Sequence, residues 1–276
     1  MATTSPSGIQ AADLHGVNVA FSETGHGQPL LFLHPGHGNW GDRPFLDALA
    51  ADYRVIAPVA PWFGADAGPP DFSSVQDLAY LYLDLIEHLD LDNVVLAGSS
   101  FGGWIAAEMA VKSCQRLAAL ALLAPVGIKT GGRSVRDVID TFGVPDKEWQ
   151  ERAFADPSFR FELKALDDSE LFIRVRAKEA LARYAWSPYM HNPKLKGRLH
   201  RIGKPTLVVS GGKDGILRSG YPRDFAEAIP GARYEEISGA GHFPHIEQPA
   251  QIAGLVHSFV QEAAQATQRT PVRERA

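Results

Sequence analysis

This 276-residue sequence predicts an α/β fold: a mostly parallel central sheet flanked by helices, with an inserted helical block. Three observations carry that reading. Short β-type runs alternate with longer helical patterns, as in successive βαβ units. Val94–Ala97 is apolar on both faces, which suits a central strand covered by helices on both sides. Strand signals stop near Lys129 and resume only after Arg201, so helices interrupt a single sheet.

Val17–Glu23 reads as an early strand, and the Gly25-His26-Gly27 turn leads into the apolar run Leu30–Leu33. Asp42–Ala51 has helical spacing through Phe45, Leu46 and Leu49, and Tyr53–Ala57 returns as a strand. Val75–Leu89 is a helix by its leucine spacing, followed by strand Val94–Ala97, helix Gly102–Lys112 and strand Leu117–Leu123. The inserted block predicts helices at Val135–Phe142, Asp146–Phe154, Ser158–Leu166 and Ser169–Tyr184. Strand Pro205–Ser210, helix Pro222–Ala228, strand Arg233–Ile237 and helix Gln251–Ala266 complete the chain. The expected organisation is a core of residues 9–128 and 202–268, a cap or lid at 129–201, and flexible tails at 1–8 and 269–276. Fraying is expected from Gln265 onward.

Composition narrows the partners. A formal charge of −5 gives no reason to expect nucleic acid or an anionic membrane surface. The basic cluster Lys194, Lys196, Arg198 and Arg201 reads as a solvated helix face. Met1–Gly8 lacks the apolar run of a signal peptide, and no stretch approaches the roughly 18 apolar residues of a membrane helix. A cytoplasmic protein, monomer or homodimer, is the expectation. Cys114 is the single cysteine, so no intrachain disulfide can form, and it reads as a small buried apolar side chain.

The sharpest chemical signal is Gly98-Ser99-Ser100-Phe101-Gly102, set between an apolar strand and an alanine-rich helix. A serine at a tight strand-to-helix turn needs small neighbours two positions either side, and the turn lifts its hydroxyl above the sheet. The glycine spacing centres on Ser100, with Ser99 as the alternative. A serine hydroxyl is a poor nucleophile without a base. His242, in the glycine-rich Ser238–Phe243 loop, is the best placed of the ten histidines, and His245 reads as a packing residue. Asp214 follows the strand Pro205–Ser210 at its C-terminal end, where open α/β sheets build their sites. The end of the preceding strand, Leu123-Ala124-Pro125-Val126, holds no carboxylate. An oxyanion would be met by the N–H of Phe101 and by one from the loop His34-Pro35-Gly36-His37-Gly38, assigned to Gly36 before His37. His34 and His37 on one loop also invite a metal reading, but no third ligand is apparent.

These residues, in the order Ser100, Asp214, His242, resemble the α/β-hydrolase superfamily, specifically lidded serine hydrolases with an HG-type oxyanion loop. Gly241-His242-Phe243-Pro244 with Glu247 and Pro249 is similar to that family's histidine motif, and the likeness spans about Val17 to Ala266. It implies no cofactor, no metal and an acyl-enzyme route. Serine at the elbow disfavours the aspartate-nucleophile branches. Two positions depart: His34-Pro35 stands where His-Gly is usual, and Trp62 replaces a glycine in the turn Val59–Gly64.

The expected reaction is hydrolysis of a small or medium carboxylic ester. Alternatives are C–C bond hydrolysis of a ring-cleavage diketone, lactonase or perhydrolase activity, and a non-hydrolytic ligand-binding protein on the same fold. Aromatic residues of the inserted block (Phe142, Trp149, Phe154, Phe172, Tyr184, Trp186, Tyr189) suggest a small-molecule substrate with an apolar or aromatic portion. His37, Trp62 and Trp186 are the expected substrate contacts.

Overall fold

The computed structural model describes residues 8–64 and 67–269. Eight strands form one sheet in the order β1-β2-β4-β3-β5-β6-β7-β8. They are β1 (Ile9–Leu14), β2 (Val17–Thr24), β3 (Gln28–Leu33), β4 (Tyr53–Pro58), β5 (Val94–Ser99), β6 (Leu117–Leu123), β7 (Thr206–Gly211) and β8 (Arg233–Ile237). The pairs β1–β2 and β2–β4 are antiparallel, and all later pairs are parallel. The chain begins at one edge, reverses direction at β3, and builds outward from β5. That reversal is where such sheets open a crevice at the strands' C-terminal ends.

The helices are α1 (Arg43–Leu49), α2 (Val75–His88), α3 (Phe101–Lys112), α4 (Asp146–Ala153), α5 (Asp168–Ala185), α6 (Tyr221–Glu227), α7 (Pro244–Glu247) and α8 (Pro249–Arg269). Two apolar cores result, one on each face of the sheet. Leu31, Leu33, Leu96 and Leu122 point to the face covered by α2, α3 and α6, whereas Leu30, Phe32, Val95 and Leu123 point to the face covered by α1 and α8. Period-2 alternation within fully buried strands explains why β5 and β6 read as unbroken apolar runs. Helix α2 starts at Val75 because Ser74 and Asp77 form a reciprocal capping box. No helix among the described residues is long and apolar enough to cross a membrane.

Most expected elements stand within two residues of their predicted ends; several do not. Val135–Phe142, expected as a helix, is irregular. The buried carboxylate of Asp137 accepts from Lys129, Thr130, Gly131 and Arg218, and Val138 bridges Leu217. Its backbone groups find partners across the fold instead of four residues back. Ser158–Leu166 splits into two short 3-10 turns, Pro157–Phe159 and Leu163–Ala165, the first capped by Asp156. Strand β1 has no clear alternation, and its place at the sheet edge is set by pairing with β2 through the turn His15-Gly16, both at positive φ. Helix α8 continues to Arg269, beyond the expected onset of fraying at Gln265. The tails expected at 1–8 and 269–276 fall, apart from Gly8 and Arg269, outside the described residues. Cys114 is half-buried, its thiol donating to the Ala110 carbonyl.

Candidate active site

Strand β5 ends and α3 begins around Ser100, whose backbone holds φ 50° and ψ −108°. Such a conformation is costly for a residue with a Cβ, so surrounding bonds must enforce it. The Ser100 N–H donates to Leu123 O at 2.8 Å, and its carbonyl accepts from Trp104 N at 3.1 Å and Val126 N at 3.2 Å. The flanking glycines are demanded by proximity. A Cβ on Gly98 would lie 2.4 Å from Gly102 O, and one on Gly102 would lie 2.0 Å from Leu33 O. Both contacts are with backbone, which cannot step aside.

Above this turn the three predicted side chains meet. Ser100 Oγ is 2.9 Å from His242 Nε2, and His242 Nδ1 is 2.8 Å from Asp214 Oδ2. With Nδ1–H donating to the carboxylate, Nε2 carries the lone pair that accepts the serine proton. The carboxylate is itself oriented: its Oδ1 accepts from Ile216 N at 2.8 Å and Leu217 N at 3.1 Å. All three side chains are almost wholly buried, which strengthens their electrostatic interaction. Histidine held between an alcohol and an oriented carboxylate can take the proton as the oxygen attacks a carbonyl, then return it to the leaving group.

A cavity of about 300 Å³ opens onto Ser100 and His242. Gly36, His37, Phe142, Trp149 and Arg174 are among its walls. Phe101 is buried behind the serine, and as the first residue of α3 its N–H has no acceptor within the helix. Gly36 is packed against Leu181, whose methyls would lie 2.9 Å from an added Cβ.

The two loop histidines have different surroundings. His34 is fully engaged: Nδ1–H donates to Pro35 O at 2.8 Å and Nε2 accepts from Ala60 N at 3.1 Å. No nitrogen lone pair is left for a metal, and burial lowers its pKa. His34 thus ties its own loop to the turn after β4. His37 donates Nε2–H to Trp40 O at 3.2 Å and stacks edge-on against Phe243. Burial pushes its pKa down to about 3, so it is neutral at working pH.

Trp62 and Trp186 do not line the cavity. Trp62 holds φ 71°, the left-handed conformation that explains why glycine is usual there, and its ring lies 4.0 Å from the Arg183 guanidinium. Trp186 is 61% exposed and packs on Phe142. Of the other aromatic residues, Phe142 and Trp149 reach the cavity, Phe154 and Tyr184 are core, and Phe172 is exposed. Ser99 is fully buried beneath the turn, and His245 is fully buried with Nε2 3.0 Å from Asp42 Oδ1.

Sequence reasoning missed Arg174. Its guanidinium sits 3.5 Å from the Phe161 ring centroid and 4.5 Å from that of Trp40. Among the described residues no partner is found for its Nε and Nη2, and burial lowers its pKa. The one available signal was a lone cation inside the apolar run Leu171–Val175.

Sheet order, elbow and Ser-His-Asp geometry together define a hydrolase-type α/β domain. The sequence pattern of the alpha/beta hydrolase family matches residues 30–255, and this chain belongs to that family. It is 25% identical to a 2-hydroxymuconate semialdehyde hydrolase of Pseudomonas sp. (strain CF600), over 90% of this chain and 92% of the relative. It is 28% identical to a 2-hydroxy-6-oxo-6-(2'-aminophenyl)hexa-2,4-dienoic acid hydrolase of Metapseudomonas resinovorans, over 91% and 90%. A thermophilic esterase from Thermogutta terrifontis superposes with a TM-score of 0.74 at 24% identity, covering 92% of this chain and 98% of that one.

Proposed function

We propose that the protein is a serine hydrolase that cleaves a small or medium carboxylic ester through an acyl-Ser100 intermediate. The observation that carries this is the unbroken line Ser100 Oγ–His242–Asp214 at 2.9 and 2.8 Å. Ser100 Oγ attacks the acyl carbon while His242 Nε2 takes its proton. The N–H groups of Phe101 and Gly36 stabilise the oxyanion, His242 returns the proton to the departing alcohol, and the acyl-enzyme remains. Water, deprotonated by His242, then releases the acid and regenerates Ser100. The inserted block 129–201 acts as a lid whose Phe142 and Trp149 receive an apolar or aromatic group.

Arg174 favours a second reading. A guanidinium on the cavity wall whose Nε and Nη2 lack a hydrogen-bond partner among the described residues suits a substrate that carries its own carboxylate. A dienoic acid diketone has that carboxylate, and acid-bearing compounds of this kind are the named substrate of the Metapseudomonas relative. C–C bond hydrolysis uses the same three side chains, with a carbanion-like leaving group replacing the alcohol.

Fluorophosphonate labelling, read by intact mass, tests the nucleophile. One adduct is expected on the wild type and none on Ser100→Ala; an unlabelled wild type overturns the proposal. Turnover of p-nitrophenyl butyrate against a dienoate diketone then separates the two readings. Preferential cleavage of the diketone, with KM raised for that substrate alone in Arg174→Met, selects C–C hydrolysis.

A further inference from the structure

Two consecutive carbonyls at the C-terminal end of α4 reach the loops that bear the acid and the histidine. Arg152 O accepts from Gly215 N at 2.9 Å, and Ala153 O accepts from His242 N at 2.7 Å. The last carbonyls of a helix lack intrahelical partners, so these bonds satisfy groups that must find donors elsewhere. The approach is close: a Cβ on Gly241 would lie 2.3 Å from Ala153 O. A third tie runs through a side chain. Glu247, at the end of α7, accepts through Oε1 from Asp156 N at 2.8 Å and through Oε2 from Gly241 N.

From this we infer that Glu247 is a positioning residue for His242, coupling the aim of the imidazole to the seating of the inserted block. The inference rests on His242 being the base of the proposed reaction. One carboxylate joins residue 156 of the insertion to the amide immediately before His242. Two successive amides on the N-terminal side of the His242 Cα are thereby held, Gly241 N by Glu247 and His242 N by Ala153. Asp214 fixes the ring only through Nδ1. Without Glu247 the loop loses one of its two ties to the insertion, and Gly241 N–H, which is buried, loses its acceptor. Displacing a catalytic group by about 1 Å can cost about 10²-fold in rate.

Glu247→Gln is nearly isosteric, yet its amide nitrogen would face one of the two N–H donors. Asp156→Pro deletes the insertion-side N–H together with the side-chain cap on Ser158, at a residue whose φ of −89° proline nearly matches. Asp156→Ala keeps that N–H and removes only the side-chain cap on Ser158, so it serves as the control. Four quantities are measured on each variant: kcat and KM for p-nitrophenyl butyrate, the rate of fluorophosphonate labelling, and the far-downfield proton resonance of His242 Nδ1–H. Glu247→Gln and Asp156→Pro are expected to lower kcat and labelling roughly 10- to 100-fold. KM should hold and the resonance should broaden or shift, while Asp156→Ala stays near wild type. Unchanged labelling and resonance in both variants overturn the inference, as does an equal loss in Asp156→Ala. If Glu247→Gln does not fold, the Asp156 pair decides. A wild type that resists labelling refutes the serine hydrolase reading; the resonance then still reports whether Glu247 positions the ring.

Discussion

A Cβ on Gly211 would lie 1.9 Å from the carbonyl oxygen of Gly241. The loop carrying Asp214 and the loop carrying His242 therefore touch backbone to backbone, and Lys213 N donates to Ala240 O at 2.9 Å beside that contact. Fixing Asp214 relative to His242 depends on this absence of a side chain.

Gly211→Ala should force the two loops apart. Overpacking of this kind costs roughly 1–3 kcal/mol. Chemical denaturation should show that loss together with a fall in kcat, because the acid and base separate. Wild-type stability and turnover in the variant would count against the contact.

Asp214→Asn should keep the fold, since the amide oxygen can still accept from Ile216 and Leu217 N–H. The amide cannot hold the Nδ1–H tautomer in the same way, and kcat should drop by about 10⁴-fold. Thermal melts and steady-state kinetics on the same preparation check both halves.

Trp62→Gly should leave kcat/KM for p-nitrophenyl butyrate unchanged, because the ring lies outside the cavity. Relief of the positive φ is worth about 1–2 kcal/mol. Against it stand the Trp62 Nε1–H bond to Pro69 O at 3.1 Å and the stacking of Arg183. Those contribute about 1 kcal/mol each, and the half-buried ring adds apolar contact besides. A modest net loss of stability is expected, read as a lower Tm.

His34 and His37 both have pKa values lowered by burial, His37 to about 3. The unfolded chain therefore binds more protons below the ordinary histidine value near 6.5, so stability is full above that pH and declines as pH falls. For His37 the decline runs from about 6.5 towards 3, with a slope of up to about 1.4 kcal/mol per pH unit. Unfolding free energies from neutral pH down to about pH 4 should fall less steeply in His37→Gln than in wild type. Parallel slopes would exclude His37 as a source of acid sensitivity.

Much of the fold was legible because the physics involved is local. Strands β5 and β6 are buried on both faces, so their composition declares them; α2 announces itself by its leucine spacing. Val135–Phe142 misled because an apolar spacing says nothing of a buried Asp137 collecting donors from distant Lys129 and Arg218. Edge strand β1 was silent because its pairing with β2, not its own pattern, makes it a strand.

Ser100, His242 and Asp214 could be named from the chain because each stands in a loop whose glycines record a close backbone approach, and such approaches leave a mark in residue identity. Arg174, Asp42 and the bridging of Glu247 left no such mark. A guanidinium becomes a cavity wall, or a carboxylate a tie between two loops, only when segments remote in sequence are packed together. Local steric necessity is written in the sequence, whereas which polar groups find each other across the fold is decided by tertiary packing.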